Sequence, residues 1–384
     1  MDFELPEELR LLKEQLRRFV DTEIIPIERD AYEGDMLKAD VRERLEARVK
    51  ELGLWMFSVP QEYGGQGLGL LARTVIYEEM GRTIAIPYRK PNIFGPEPNG
   101  ALYEASDYIK EKFLWPVLRG EKRMCFMQTE PDAGSDPGGM RTTAVRDGDH
   151  YVINGYKRFI TNAGIAQIGQ VLAATDRSKG SRGGISAFMV DMDTPGLKLV
   201  RQQQTMMDDR PWEVAFDDVR VPVENRIGEE GDGFKFGQRY LVRGRMRHGA
   251  RACGASERCL ELAVPFAKQR VIFGKPLSER QSIQWMLVDS WMELESARLM
   301  LYRTAWRFDQ GHDVRYEHYM CKVRCDEMAF RIVDRCMQIF GGMGFTTDLP
   351  IEKFWRDQRS LVTTEGAPET MRMALARHVL RLYN

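Results

Sequence analysis

The sequence has no long apolar run, no cysteine or histidine spacing typical of a metal site, and almost no excess of charge. No segment approaches the roughly 20 consecutive apolar residues that span a bilayer, so no membrane-crossing helix is predicted. Its 56 Lys and Arg nearly balance its 57 Asp and Glu, which gives no electrostatic basis for binding nucleic acid or an anionic membrane. The six cysteines form no CxxC pair and the five histidines no HExxH. We therefore predict no metal, and we expect the cysteines to be reduced core residues.

The first ten residues, MDFELPEELR, lack the basic and apolar regions of a secretory signal. We expect a soluble cytoplasmic protein, or one processed into the mitochondrial matrix if the source is eukaryotic. A chain of 384 residues is long enough for two or three domains and a sizeable core.

Three successive periodicities divide the chain. Apolar residues recur at helical spacing in the first third, the period is two in the middle, and long helical patterns return at 234–270, 281–310, 315–340 and 365–382. The prediction is an α+β multi-domain protein with an N-terminal all-α domain (1–125), a middle antiparallel β barrel or sandwich (126–232) and a C-terminal four-helix bundle (233–384). Within the middle segment, Asn154-Gly155 predicts a hairpin turn between strands at 151–153 and 156–160.

A turn-rich patch, TEPDAGSD at 129–136, opens the middle segment, and FITN follows at 159–162. Its backbone N–H groups and the Ser135 hydroxyl suit a phosphate, although such a patch alone is more often a surface turn. Together with PQEYGGQG at 60–67, FDDVRVP at 216–222 and QIFGGMG at 338–344, it resembles the acyl-CoA dehydrogenase family. The resemblance covers nearly the whole chain, with the motifs in the family's order.

The resemblance implies FAD-dependent α,β-dehydrogenation of an acyl-CoA to the trans-2-enoyl-CoA, with electrons passed to an electron-transferring flavoprotein. The family's catalytic base matches Glu365 in Thr364-Glu365-Gly366. In other branches the base occupies the position of Gly244 here, and glycine cannot take a proton. Arg245 resembles the arginine that braces the catalytic segment. We expect burial against flavin and acyl chain to raise the pKa of Glu365.

The resemblance also assigns the flavin seat. Met127, Gln128 and Thr129 would meet the pyrimidine edge, Ser135 the pyrophosphate, and Phe159 and Thr161 the ring. The positions that reach a neighbouring subunit's FAD in the family are Arg270, Phe273, Gln281, Gln338, Gly341 and Gly342. A homo-oligomer, either a dimer or a tetramer, is therefore expected.

Other interpretations remain open at this point. Without the resemblance, Glu365 would be read as the cap of the last helix and Arg270 as a charge at a helix end. The same fold also serves enoyl-CoA reductases, desulfinases and oxidases, and a non-catalytic protein that binds acyl-CoA would share its sequence features.

The acyl group is a further expectation. Pro91, Pro96 and Pro98 interrupt the helical pattern where the family's acyl pocket has its floor, and Gly244 and Ala367 are small. We predict a branched, cyclic or aromatic acyl thioester over a long straight chain. The alternative is that the prolines only shape a surface loop.

Overall fold

The computed structural model describes residues 4–88 and 92–383, apart from the side chains of 238–240. Pro91 therefore lies outside the described residues. The chain forms two compact units. The first comprises Met1–Val41, Leu68–Pro87 and Val242–Asn384, and the second comprises Arg42–Gly67 and Tyr88–Leu241.

Helices dominate both ends of the chain, as the periodicity predicted. In chain order, the α-helices of the described residues are α1 (Glu7–Phe19), α2 (Ala39–Glu51), α3 (Leu70–Met80), α4 (Asp107–Ile109), α5 (Trp115–Leu118), α6 (Gly233–Gln269), α7 (Gln281–Asp309), α8 (Glu317–Phe340), α9 (Ile351–Thr363) and α10 (Pro368–Leu382). None of them combines the length and the apolar composition that crossing a membrane requires.

The long helices α6, α7 and α8 confirm the predicted helical patterns, and α8 packs its apolar stripe into the core. Its fully buried side chains include Cys321, Cys325, Met328 and Ile332. The sequence pattern missed α9, and the helix predicted from residue 365 begins at Pro368. Proline suits the first turn of a helix because its missing N–H has no partner there in any case. The short segment 364–367 is thus free to carry a side chain in an irregular conformation.

The strands are β1 (Tyr32–Glu33), β2 (Met36–Leu37), β3 (Met124–Met127), β4 (Thr143–Asp147), β5 (His150–Ile160), β6 (Ile168–Ala174), β7 (Ile185–Asp191), β8 (Leu197–Gln202), β9 (Trp212–Pro222), β10 (Arg226–Ile227), β11 (Val271–Ile272) and β12 (Lys275–Pro276). Pairs β1–β2 and β11–β12 are small hairpins. The remaining strands form one sheet in the order β10-β7-β6-β4-β5-β9-β8, with β3 also paired to β6.

The sheet is antiparallel except where β3 and β4 run parallel to β6. Strand β6 is buried on both faces. Leu172 belongs to an apolar cluster with the helical segments of the second unit, whereas Val171 belongs to the cluster on the other face. Because β3 pairs beside this buried strand, the residues that follow Met127 leave the sheet from a fixed position.

The predicted hairpin at Asn154-Gly155 is wrong. Strand β5 runs unbroken through both residues and pairs with β9. A Cβ at Gly155 would lie 2.4 Å from Oγ1 of Thr142, so the glycine permits a close approach of backbone, at a point where the register with β9 shifts. The actual turn lies between Asp147 and His150, where Gly148 has a φ of 63°.

All six cysteines are buried and form no disulfide, which confirms the prediction of reduced core thiols. Burial raises the pKa of Cys125, Cys321 and Cys336 well above the usual range of a thiol. Such thiols stay protonated and unreactive at neutral pH.

Candidate active site

Glu365 lies in the short connection between α9 and α10, with an unusual backbone conformation. Its φ is 55° and that of Gly366 is 112°. A positive φ in a residue with a side chain is uncommon and costs conformational energy, and such strain clusters at functional sites. Two consecutive residues of positive φ reverse the chain here, so that the Glu365 carboxylate turns back toward α6.

The two oxygens of this carboxylate have different surroundings. Oε1 lies 3.3 Å from Nε2 of His248 and 3.6 Å from a guanidinium nitrogen of Arg247. Oε2 is buried and has no hydrogen-bond partner among the described residues. A Cβ at Gly244 would lie only 2.3 Å from Oε2. The missing side chain of Gly244 thus makes the space for the carboxylate, and one oxygen remains available to accept a proton.

Arg245 holds the backbone of the same residue. Its Nε donates to the carbonyl oxygen of Glu365 at 2.9 Å, and its Nη1 faces Nε2 of His318 at 3.1 Å. Nδ1 of His318 donates to the carbonyl of Val314 at 3.0 Å, which leaves Nε2 as the acceptor. Burial lowers the pKa of His318 to about 4, and a neutral imidazole is the form that this arrangement needs.

Lys322, on α8, anchors the end of α9 that leads into the connection carrying Glu365. Its ammonium donates to the carbonyl of Leu361 at 2.8 Å and pairs with the carboxylate of Asp326 one helical turn away. Both charged side chains are buried. A buried pair of this kind persists only when additional hydrogen bonds compensate for lost hydration. The last carbonyls of α9 provide such bonds here, so the end of that helix is tied directly to α8.

The chain lowers the pKa of Glu365 instead of raising it. Burial by itself would raise this pKa, but His248, Arg247 and Lys322 outweigh burial and hold it well below the usual range of a glutamate. We expected burial against flavin and acyl chain to raise this pKa; in the chain by itself, three basic side chains surround the carboxylate and lower it. Glu365 is consequently ionised, the state in which a base must begin.

The second unit carries the residues predicted for the flavin. Met127 ends β3 and is buried, whereas Gln128 and Thr129 are partly exposed. Arg158 donates its backbone N–H to the carbonyl of Thr129 at 2.8 Å. Ser135 is exposed in the turn-rich loop, and the structure shows no hydrogen bond from its backbone N–H to any described residue. The loop therefore has donors available for an anion.

A buried ion pair holds this loop in place. Nζ of Lys157 donates to Oε1 of Glu130 at 2.7 Å and to the carbonyl of Gln128 at 3.1 Å, and the Glu130 carboxylate also accepts the backbone N–H groups of Arg141 and Thr142. Burial lowers the pKa of Lys157 to about 8 against the opposing effect of Glu130. Although burial would raise the pKa of Glu130, Lys157 and the N–H groups keep it below its usual range.

Phe159 has a strained backbone among the residues of the second unit that are predicted for the flavin. Its φ is 59° and its side chain is 53% exposed, an unusual combination for a large aromatic residue. The Arg158 guanidinium lies 4.8 Å from the ring centroid, and Thr161 is partly exposed beside it in sequence. An exposed aromatic face, an anion-binding loop and backbone groups at the end of β3 match what an isoalloxazine and a pyrophosphate require, so these residues fit FAD.

The positions predicted to reach a neighbouring subunit's cofactor are all on the surface of the first unit. Phe273, at the tip of the β11–β12 hairpin, is 95% exposed and has a φ of 47°. The other exposed members of the set are Arg270, Gln281, Gln338, Gly341 and Gly342. The structure thus brings Glu365 and Arg245 together. It leaves the six positions predicted to reach a neighbouring subunit's FAD exposed to solvent.

Sequence reasoning missed the residues that support Glu365 in the first unit and the predicted flavin residues in the second unit. Arg247, His248 and Lys322 surround Glu365, and Lys157 pairs with Glu130. One signal was present: the run RGRMRH at 243–248 places four basic residues within six positions of a helix, which is more positive charge than a buried helix face ordinarily tolerates. No group of three or more potential metal ligands occurs among the described residues.

Models of three protein families match this chain in succession. They describe the acyl-CoA dehydrogenase N-terminal domain at residues 6–121, the middle domain at 125–219 and the C-terminal domain at 231–380. The chain therefore belongs to the acyl-CoA dehydrogenase family. Members of this family are FAD-dependent oxidoreductases that act on acyl-CoA, and the chain is an enzyme of this class.

Individual relatives align over nearly the full length. (R)-benzylsuccinyl-CoA dehydrogenase of Thauera aromatica is 36% identical over 99% of this chain and 97% of its own. The mitochondrial short-chain specific acyl-CoA dehydrogenase of Mus musculus is 38% identical over 99% and 92%.

Solved structures share the fold as well. Butyryl-CoA dehydrogenase from Megasphaera elsdenii is 32% identical, covers 99% of this chain and 100% of its own, and has a TM-score of 0.85. The structure of PigA with FAD and proline is 28% identical, with coverage of 99% of each chain and a TM-score of 0.88.

Proposed function

We propose that this chain dehydrogenates an acyl-CoA at the α,β bond with Glu365 as the base that removes the α-proton. The observation that carries the proposal is the asymmetry of the Glu365 carboxylate. One oxygen faces His248 and Arg247, and the other is buried with no hydrogen-bond partner among the described residues. A carboxylate held in this way is ionised and has one oxygen ready for a proton.

Different residues of the chain have different roles in this reaction. Arg245 holds the carbonyl of Glu365 and Lys322 holds the end of α9, so the base keeps one orientation. Residues 127–129, Ser135, Phe159 and Thr161 would hold FAD, which when bound would provide the acceptor for the hydride from the β-carbon. We assign the product as the trans-2-enoyl-CoA. The two electrons then require an acceptor, and an electron-transferring flavoprotein is the partner that the family resemblance supports.

The decisive test is anaerobic reduction of the bound flavin by acyl-CoA, followed by its absorbance. Glu365→Gln is nearly isosteric and cannot take a proton. We expect the variant to keep FAD and the fold but to lose about 10²- to 10⁴-fold in the rate of flavin reduction. Reduction at the wild-type rate would show that another group is the base. Rapid reoxidation of the reduced wild-type enzyme by O₂ alone would instead favour an oxidase.

We further propose a short acyl group that is branched, cyclic or aromatic. Two relatives support this class, since one is named for benzylsuccinyl-CoA and the other for short chains. The panel should compare butyryl-, isobutyryl-, ring-bearing and octanoyl-CoA by kcat/KM, because a lost methylene contact changes specificity by about 10- to 200-fold. A preference for straight chains of eight or more carbons contradicts the proposal.

A homo-oligomer completes the proposal, with the domains bounded as 1–125, 126–232 and 233–384. Phe273, which is 95% exposed, supports it as one of several large apolar side chains that the first unit exposes, because apolar surface patches mark protein–protein contacts. Exposed tryptophans on α7, Trp285 and Trp291, add to the apolar surface of the first unit. Sedimentation of the FAD-loaded protein distinguishes a dimer or tetramer from a monomer, and a strictly monomeric FAD-loaded enzyme contradicts this part of the proposal.

A further inference from the structure

His248 lies one helical turn after Gly244 on α6, so both residues face the same side of the helix. Its side chain is buried. Nε2 points toward Oε1 of Glu365 at 3.3 Å, and Nδ1 points toward Oδ2 of Asp326 at 3.9 Å. The imidazole thus stands between two carboxylates that come from different elements of the first unit.

Neither nitrogen completes a hydrogen bond. Among the described residues, Nδ1 and Nε2 of His248 both lack a partner. A buried imidazole without hydrogen bonds costs about 1 to 3 kcal/mol for each unsatisfied group, so a purely structural role would favour an apolar residue here. In unliganded active sites, catalytic hydrogen bonds are often long and tighten only in the reactive complex. The geometry at His248 has this character.

We propose that His248 positions the catalytic carboxylate, holding Oε1 of Glu365 so that Oε2 is presented to the α-proton of the substrate. This inference rests on the proposed role of Glu365 as base. His248 does not touch the reacting atoms and acts through Glu365. Asp326 on the far side of the ring orients the imidazole, and Lys322 in turn neutralises Asp326.

The charges around His248 and Glu365 determine how the rate of flavin reduction depends on pH. Arg247 on α6 lies near Glu365, Asp326 on α8 lies near His248, and Lys322 pairs with Asp326. Arg245 on α6 bonds the Glu365 carbonyl. Beyond these groups, Tyr77 on α3 contacts Arg247, and His318 and Tyr319 on α8 contact Arg245. After burial, which acts in the opposite direction, His248 makes the largest contribution to the pKa of Glu365, and it lowers that pKa. Removing the imidazole therefore raises the pKa of Glu365.

The sign of the pH effect follows from the role of a base. Glu365 acts only when ionised, so the rate falls as pH drops through its pKa. A raised pKa moves this acid limb of the profile to higher pH. Loss of His248 should thus change both the limiting rate and the position of the acid limb, whereas a merely structural defect would change the rate alone.

The test compares His248→Leu with His248→Gln in anaerobic stopped-flow reduction of the FAD-loaded enzyme by butyryl-CoA across pH. Leucine cannot donate, and we expect about a 10- to 100-fold slower limiting rate, as for a base displaced by a fraction of an ångström. Glutamine places an N–H donor near the position of Nε2 but lacks the effect of the imidazole on the pKa of Glu365. It should restore most of the rate, and its acid limb should stay displaced toward higher pH. The half-saturating butyryl-CoA concentration should change little in either variant.

Two controls separate the possible failures. Ser256→Ala removes a buried hydroxyl that bonds the Ala252 carbonyl on the same helix, and it should leave the pH profile unchanged. In a Glu365→Gln background, His248→Leu should cause no further loss, because both substitutions act on one proton transfer.

Each outcome has a definite meaning. A wild-type rate and profile in His248→Leu overturn the proposal, as do equal losses in the leucine and glutamine variants with an unmoved acid limb. If the leucine variant fails to bind FAD, the glutamine variant alone decides through its acid limb. Wild-type reduction by Glu365→Gln refutes the base assignment and this proposal with it. A defective Glu365→Gln beside an unaffected His248→Leu refutes only the role of His248.

Discussion

Gly244→Ala tests whether the carboxylate position observed here is the productive one. The added methyl carbon would lie 2.3 Å from Oε2, 3.0 Å from Cδ and 3.2 Å from Oε1 of Glu365. A carbon and an oxygen that are not bonded need about 3.5 Å, so Oε2 has to move by about 1 Å. Because the carboxylate is the flexible end of a side chain, it can swing away, and the backbone of α6 need not change.

The expected result is a separation of stability from activity. Alanine is better than glycine in a helix by about 1 kcal/mol, so thermal unfolding should show equal or higher stability. Displacement of a catalytic group by about 1 Å costs about 10²-fold in rate. We therefore expect Gly244→Ala to retain FAD, to melt no earlier than wild type, and to reduce its flavin about 100-fold more slowly with butyryl-CoA.

Gly249→Ala is the matched control on the same helix. Its added Cβ would meet Cδ1 of Leu301 at 2.9 Å and Sγ of Cys325 at 3.3 Å, so it disturbs packing without touching Glu365. It should lower the melting temperature and keep most of the rate. If Gly244→Ala reduces its flavin as fast as wild type, the observed carboxylate position is not the one used in catalysis.

Two other substitutions follow from the buried groups. Lys157→Met leaves the Glu130 carboxylate buried without its cation. It should cost about 3 to 5 kcal/mol in the free energy of unfolding and speed the loss of FAD on dialysis. The control Lys179→Met, at an exposed ion pair, should change stability by less than about 1 kcal/mol, and equal effects of the two substitutions would contradict the structural role of the Lys157–Glu130 pair. For His318, the folded pKa of about 4 lies below the ordinary 6.5, so stability is lost as pH falls from about 6.5 to about 4, by about 3 kcal/mol in total. His318→Gln should abolish that part of the pH dependence in urea unfolding, and an unchanged slope would refute the buried neutral imidazole.

The periodicity of the sequence predicted the succession of helices, sheet and helices because each element buries one apolar face. The bounds that it predicted for α6, α7 and α8 lie close to the observed ones. It failed at Asn154-Gly155, where the close approach of Thr142 needs a glycine, and local turn preference carries no information about that contact. It missed α9, because the glycines and proline before residue 351 mask where the helical pattern resumes.

The candidate site was predictable only in part. Glu365 and Arg245 followed from a family resemblance, and the structure places them in contact. The opposite sign of the pKa shift did not follow, because it depends on His248 and Lys322, which are 117 and 43 positions away from Glu365 along the chain. Sequence spacing cannot show that α6 and α8 bring these basic side chains to one carboxylate. Burial alone suggested a raised pKa, and the surrounding charges reversed it.

The tethers of the connection between α9 and α10 end on backbone carbonyls. Arg245 bonds the carbonyl of Glu365 and Lys322 that of Leu361, and every amino acid possesses such a carbonyl. Neither hydrogen bond therefore depends on which side chain occupies position 365. A substitution that removes the proposed base can therefore leave both of these backbone hydrogen bonds in place. The hydrogen bonds that support this connection are thus separate from the side chain that reacts, so the same fold is compatible with more than one reaction.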